Sequence, residues 1–131
     1  MTKQKFSWLD RQEYPFQSRY MTVNGQQLHY IDEGDGETLV FVHGTPSWSF
    51  DYRKVILDLR RRFRCVAADH IGFGLSDKPA DYDYSIQQHA ATLEQFITTL
   101  GLSRITLVLH DQGSGLGFHY ARRHPENVKA I

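Results

Sequence analysis

Residues 105–121 read ITLVLHDQGSGLGFHYA. Ile105 to Leu109 is a short continuous apolar run of the kind buried on both faces of a parallel sheet. It ends on His110 and Asp111, then meets Gly113, Ser114, Gly115 and Gly117 in quick succession. Small residues at that junction permit a tight strand-to-helix turn. A helix is expected from near Ser114 to about His124-Pro125, where proline ends it.

The flanking sequence repeats this alternation. Thr38 to Val42 (TLVFV) and Phe63 to Ala68 are two more buried-strand runs. Between them, Ser49 to Arg60 has a helical pattern with Phe50, Val55, Ile56 and Leu59 broadly on one side. Ser85 to Leu100 is the clearest helix. Ser85 and Gln88 suit a capping box, Ile86, Leu93, Ile97 and Leu100 share a face, and Gly101 stops it. Upstream, residues 18–32 predict a β-hairpin around Asn24-Gly25, a pair suited to the positive φ angles of a type I′ turn. Val128 to Ile131 reads as one more strand beginning. Strands alternating with helices predict an α/β fold: a mostly parallel sheet, an antiparallel edge hairpin and helices on both faces. No repeat or low-complexity tract divides residues 1–131, so they are expected to form one folding unit.

Sites in open α/β sheets form beyond the carboxyl ends of the strands. Three loops leave such ends: residues 43–46 (HGTP), 69–79 (DHIGFGLSDKP) and 110–115 (HDQGSG). The last has the layout of a nucleophile elbow, whose usual form is G-x-S-x-G. Here Leu109-His110-Asp111-Gln112-Gly113 occupies that frame, which puts a carboxylate, Asp111, where serine usually stands. A carboxylate nucleophile suits displacement at saturated carbon and leaves an ester that a general base and water must hydrolyse. Backbone N–H groups of Gln112 and of Thr45 are the expected pair to stabilise the oxyanion of that hydrolysis.

The stretches HGTPSWSFDYR, DHIGFGLSDKP and LVLHDQGSGLGFHYA resemble, in order and spacing, the haloalkane dehalogenase branch of the α/β-hydrolases, with epoxide hydrolases as close relatives. The likeness runs from about Thr22 to Ile131. It implies an α/β-hydrolase core in which Asp111 attacks a carbon–halogen bond without a cofactor. Thr45, Gln112 and Trp48 are the candidates to touch the leaving group or substrate. The family often carries asparagine at the position of Thr45 and tryptophan at that of Gln112, whose side chains hold the leaving halide. Those substitutions raise the share of epoxide, fluoroacetate or β-lactone substrates. In the family the triad acid follows the sixth or seventh strand and the histidine the eighth. Both are expected beyond Ile131, which stands in what would be the sixth strand. The chain is therefore expected to be an N-terminal half, to need its C-terminal half for activity, and to be inactive or merely binding alone.

Simpler roles compete for the same residues. Asp111 could be only a helix N-cap. Ser114 lies a turn into its helix, with Gln112 where a serine elbow needs glycine. Neighbours along a strand point to opposite faces, so His110 and His43 are read as structural rather than as a base for Asp111. Asp69 is expected to organise its glycine-rich loop, and Trp48 and Phe50 to pack. Gly113 to Gly117 invites a dinucleotide-binding reading, but Phe118 stands where the third glycine belongs.

Composition narrows the class. Lys plus Arg and Asp plus Glu both number 15, so no net charge favours nucleic acid or an anionic membrane, and a small-molecule substrate is expected. Arg60-Arg61-Arg62-Phe63-Arg64 suits the C-terminal end of a helix. The lone Cys65 reads as a buried structural thiol, and the seven histidines show no metal-ligand spacing. The N-terminus, MTKQKFSWLD, has no apolar leader, and no run approaches a membrane span, so a cytoplasmic protein is expected.

Overall fold

A computed structural model describes residues 6–131; the first five residues of the stretch read above for a leader lie outside the described residues. The sheet has six strands: β1 (Arg19–Val23), β2 (Gln26–Glu33), β3 (Thr38–Val42), β4 (Arg64–Ala68), β5 (Ile105–Leu109) and β6 (Val128–Ala130). Their spatial order is β1-β2-β4-β3-β5-β6. β3 pairs in parallel with both β4 and β5, and β5 in parallel with β6. β2 runs antiparallel to β1 and to β4. The expected hairpin is present, and its turn carries positive φ at Asn24 (50°) and Gly25 (81°).

Strand period 2 divides the core into two layers. Val40, Val42, Val66, Ala68, Ile105 and Leu107 bury one face with residues of helices α2 (Ile86–Leu100) and α3 (Gln112–Arg123). Leu39, Phe41, Cys65 and Ala67 bury the other with Ile56 of helix α1 (Arg53–Leu59) and the N-terminal Tyr14 and Phe16. Helices therefore cover both faces. Burial pushes the Cys65 thiol up to about 11, as suits a structural cysteine. No helix among the described residues is long and apolar enough to cross a membrane.

Several sequence expectations shift. The helix expected over 49–60 is a 3₁₀ turn (Ser49–Tyr52) followed by α1. Within it Ile56 is fully buried and Val55 is exposed. Ile86, at the first turn of α2, is also exposed, whereas Phe96 is fully buried on the inner face. Only half of the capping box forms: the Ser85 hydroxyl accepts from the Gln88 N–H, while Asp83 accepts from the Ser85 N–H. Gly101 ends α2 in the left-handed region (φ 70°). Helix α3 begins at Gln112, two residues ahead of the expected Ser114. Within the arginine run, Arg64 makes a bidentate pair with Asp32 (2.9 and 2.7 Å) and Arg60 pairs with Glu33 (2.7 Å).

Candidate active site

The three loops that leave β3, β4 and β5 meet at the carboxyl edge of the sheet. Asp111 stands between β5 and α3 with φ 56° and ψ −127°. That backbone is costly for a residue with a Cβ, and such strain persists only where the surroundings impose it. Here packing imposes it. A Cβ on Gly113 would press into the Val42 and His43 carbonyl oxygens, the latter at 2.8 Å. One on Gly117 would press into the Leu109 side chain. A Cβ on Gly44 would stand 2.6 Å from Asp111 Cβ. Two of the helix glycines thus let α3 sit against β3 and β5. That leaves the chain one residue in which to turn. The same contacts explain glycines that could otherwise suggest a phosphate loop, although Gly115 faces open space.

The Asp111 side chain caps nothing: α3 receives no side-chain capping hydrogen bond from it. Instead it points back over the β3 loop and remains exposed. The Thr45 N–H donates to Asp111 Oδ2 at 3.3 Å. The Gln112 N–H and then the Thr45 N–H hold the carboxyl below its ordinary pKa. Asp111 is therefore a solvent-facing carboxylate at neutral pH, with the Thr45 N–H, one of the two backbone donors named from the sequence, hydrogen-bonded to it. The side chains of those two residues are joined as well, since Thr45 Oγ1 donates to Gln112 Oε1 at 2.8 Å.

The other residues singled out in the sequence have partners of their own. Trp48 stacks on Phe50 (ring centroids 5.2 Å, 18° between planes) and lies against Tyr14 (5.2 Å), half-buried against the core layer of Tyr14 and Phe16. Ser114 sits inside the first turn of α3, its N–H donating to the Asp111 carbonyl. His110 is exposed, and its carbonyl accepts from the Gly113 N–H in the turn. His43 is buried. Its Nε2 accepts from the His70 N–H (3.0 Å), which leaves Nδ1 protonated to donate to the Gly44 carbonyl (2.8 Å).

Asp69 does more than order its own loop. It is fully buried, and its Oδ2 accepts from the Leu75 N–H (3.0 Å) and from His29 Nδ1 (2.8 Å), while Oδ1 accepts from the Ser49 N–H (2.8 Å). Burial alone would raise its pKa. The His29 hydrogen bond, the His29 charge and the two N–H groups instead hold it below the ordinary range. His29 Nε2 lies 2.9 Å from the hydroxyl of Ser18, just ahead of β1, which completes a line of hydrogen bonds from there to the β4 loop. Sequence reasoning missed His29. It lies 40 residues from Asp69, and a histidine in a hairpin strand carries no local signal of such a partner.

The sequence pattern of the α/β-hydrolase fold matches residues 37–131. The chain belongs to the α/β-hydrolase family. It is 47% identical over 120 residues to a cis-3-alkyl-4-alkyloxetan-2-one decarboxylase of Shewanella oneidensis, covering 89% of this chain and 38% of that protein. It is 41% identical over 122 residues to haloalkane dehalogenase 2 of Mycobacterium tuberculosis, covering 93% and 43%. Among solved structures, it resembles a haloalkane dehalogenase from Agrobacterium tumefaciens (TM-score 0.81, 31% identity, 87% of this chain and 41% of that one). It is as similar to an epoxide hydrolase from Vigna radiata (TM-score 0.81, 32% identity, 90% and 39%). The α/β-hydrolase chain spans about two-fifths of the length of these relatives.

Proposed function

We propose that residues 1–131 are the nucleophile-bearing part of an α/β-hydrolase core whose complete form cleaves carbon–halogen bonds. Asp111 attacks the carbon that bears the halogen. A C–O bond forms, the C–X bond breaks, and halide leaves with the electron pair. The resulting alkyl ester then takes up water at the aspartyl carbonyl, which restores the Asp111 carboxylate and releases the alcohol and a proton. The Thr45 and Gln112 N–H groups stabilise the oxyanion of that second step. A histidine from the rest of the fold accepts the proton from water, oriented by an acid also from that part. The observation that carries this reading is Asp111 itself: an ionised carboxylate at a strained strand-to-helix turn, with the Thr45 N–H at 3.3 Å. The substrate is a small molecule. A cytoplasmic setting suits a chain whose one cysteine is a buried free thiol.

One observation supports a second reading, a strained oxygen ring such as an epoxide or β-lactone. Because the Thr45 hydroxyl proton is committed to Gln112 Oε1, two side-chain donors do not converge on a departing halide. A ring-opening reaction keeps its leaving oxygen tethered and relies less on such a pair. The 47% identical relative is named for an oxetan-2-one.

A panel assay separates the two readings. With the C-terminal half supplied, the assembled fold is given a primary bromoalkane, a terminal epoxide and a 3,4-dialkyl β-lactone, and bromide, diol and lactone loss are followed. Bromide release supports the first reading, and consumption of only an oxygen ring supports the second. A folded assembly inert to all three would remove both.

A further inference from the structure

We infer that Asp69 and His70 are positioning residues that hold the Thr45 N–H against Asp111 by gripping the β3 loop at both ends. The inference rests on the reading of Asp111 and Thr45 given above. Two adjacent residues at the end of β4 reach across to β3's loop. The His70 backbone N–H donates to His43 Nε2 (3.0 Å) and its ring Nε2 donates to the His43 carbonyl (3.0 Å). The rings of His43 and His70 lie 3.8 Å apart. On the far side of Thr45, the Asp69 carboxylate takes the Ser49 N–H at 2.8 Å. The five residues between His43 and Ser49 are thus anchored before and after by one buried dipeptide.

This anchorage is consequential because Thr45 itself is exposed and its loop has no strand partner to fix it. A backbone donor contributes to oxyanion stabilisation only where it is held in place before the charge develops. Ordinary core packing does not account for a buried carboxylate there, since burying a charge is costly unless several donors satisfy it. Asp69 has three: His29, Ser49 and Leu75. His29, from β2, in turn fixes the carboxylate from behind. Asp69 and His70 are buried, and their hydrogen bonds go to residues other than Asp111, so both act through the loop.

The test reads the Asp111 carboxyl titration by carbon-detected NMR of the chain with labelled aspartate, alongside circular dichroism as a check of folding. Ser49→Pro removes the N–H that Asp69 grips, at a helix-start position where proline is tolerated. Ser49→Ala keeps that N–H and loses only the Ser49 hydroxyl contact with Tyr14. Asp69→Asn replaces the acceptor. Ser49→Pro and Asp69→Asn are expected to move the Asp111 titration upward toward the ordinary carboxylate range, and Ser49→Ala to leave it in place. A folded Ser49→Pro or Asp69→Asn protein with an unmoved Asp111 titration overturns the inference, as does an equal shift in Ser49→Ala.

Amide exchange in the unsubstituted chain gives a reading that needs no variant. Thr45 should exchange more slowly than Asp35, an exposed loop amide, and exchange at the Asp35 protection level overturns the inference. Alkylation of Asp111 by a bromoalkane in the assembled fold tests the underlying reading separately. An adduct with no titration shift discards the clamp and keeps the nucleophile. A shift without an adduct keeps the clamp and discards the nucleophile.

Discussion

Acidification should loosen the interior beneath the site, and His70 sets the scale. The ring is buried, against the rings of His43 and His89 and next to Asp69. Burial, reinforced by His43, pushes its pKa from 6.5 down to about 3. The unfolded chain therefore binds the proton first. Stability from the neutral ring is fully present above pH 6.5 and is lost as pH falls toward 3. Linkage across that interval amounts to about 5 kcal/mol in all, of which about 2 kcal/mol is lost between pH 7 and pH 5. That is a large part of the stability of a small domain. His43, lowered mainly by burial, and His89, lowered likewise, add to the loss in the same direction. Asp69, Glu94 and Asp111, which are held low, contribute stability that is lost mostly below pH 5. Urea unfolding at pH 7 and at pH 5 measures the sum, and His70→Gln, which carries no titrating ring, isolates the His70 share. The variant should lose about 2 kcal/mol less than the unsubstituted protein over that interval. Equal losses in both proteins would refute the reasoning, as would a His70 ring that titrates near 6.5 in a folded sample.

Two glycines of α3 should respond oppositely to alanine. Gly113→Ala forces a methyl into the Val42 and His43 carbonyls and should cost about 2 kcal/mol or more by overpacking. Gly115→Ala meets nothing within 4 Å and should add about 0.5–1 kcal/mol of helix stability. Thermal melts of the two variants decide both, and a neutral Gly113→Ala would contradict the packing account of the turn. In the assembled fold, Gln112→Trp replaces a carboxamide whose oxygen is held by Thr45 with an indole N–H donor. Halide release from a bromoalkane should rise, by up to the ~3 kcal/mol that one donor to a developing anion supplies. Stopped-flow halide titration measures it. Lost halide affinity beside robust epoxide or lactone turnover would favour the ring-opening reading.

The sheet was legible because its strands are chemically simple. TLVFV and ITLVL are apolar on both faces, and both faces are covered by helices in the fold. Asn24-Gly25 announced its turn through the positive φ that only a few residues adopt readily. Helix faces were harder to read. Val55 and Ile86 are apolar but exposed, and single apolar residues are common enough on protein surfaces that periodicity alone does not assign them to the core. The start of α3 lies two residues ahead of the expected Ser114 for a different reason. Asp111 alone makes the turn, with positive φ, so no linker separates strand from helix.

At the site, Asp111, Thr45 and Gln112 could be named because each occupies a motif position. Their geometry could not be read there. The Thr45–Gln112 hydrogen bond joins residues 67 apart in sequence, and the Asp69 grip on Ser49 spans 20. Both follow from strand order, which brings β4 and β5 to either side of β3. Trp48 shows another side of this: its motif position gave no sign of the aromatic neighbours, Tyr14 and Phe50, against which its half-buried ring lies.

The most direct test of the central claim is the covalent state of Asp111. A carboxylate can attack carbon without a base, whereas the ester it forms needs one. The chain is assembled with its C-terminal half, in which phenylalanine replaces the hydrolytic histidine, and is exposed to a primary bromoalkane. Intact-mass spectrometry should then show a single persistent alkyl adduct. Peptide mapping should place it on Asp111. Asp111→Asn should abolish the adduct with the circular dichroism spectrum unchanged, since α3 takes no cap from that side chain. An adduct on another residue, or one that survives Asp111→Asn, would contradict the account.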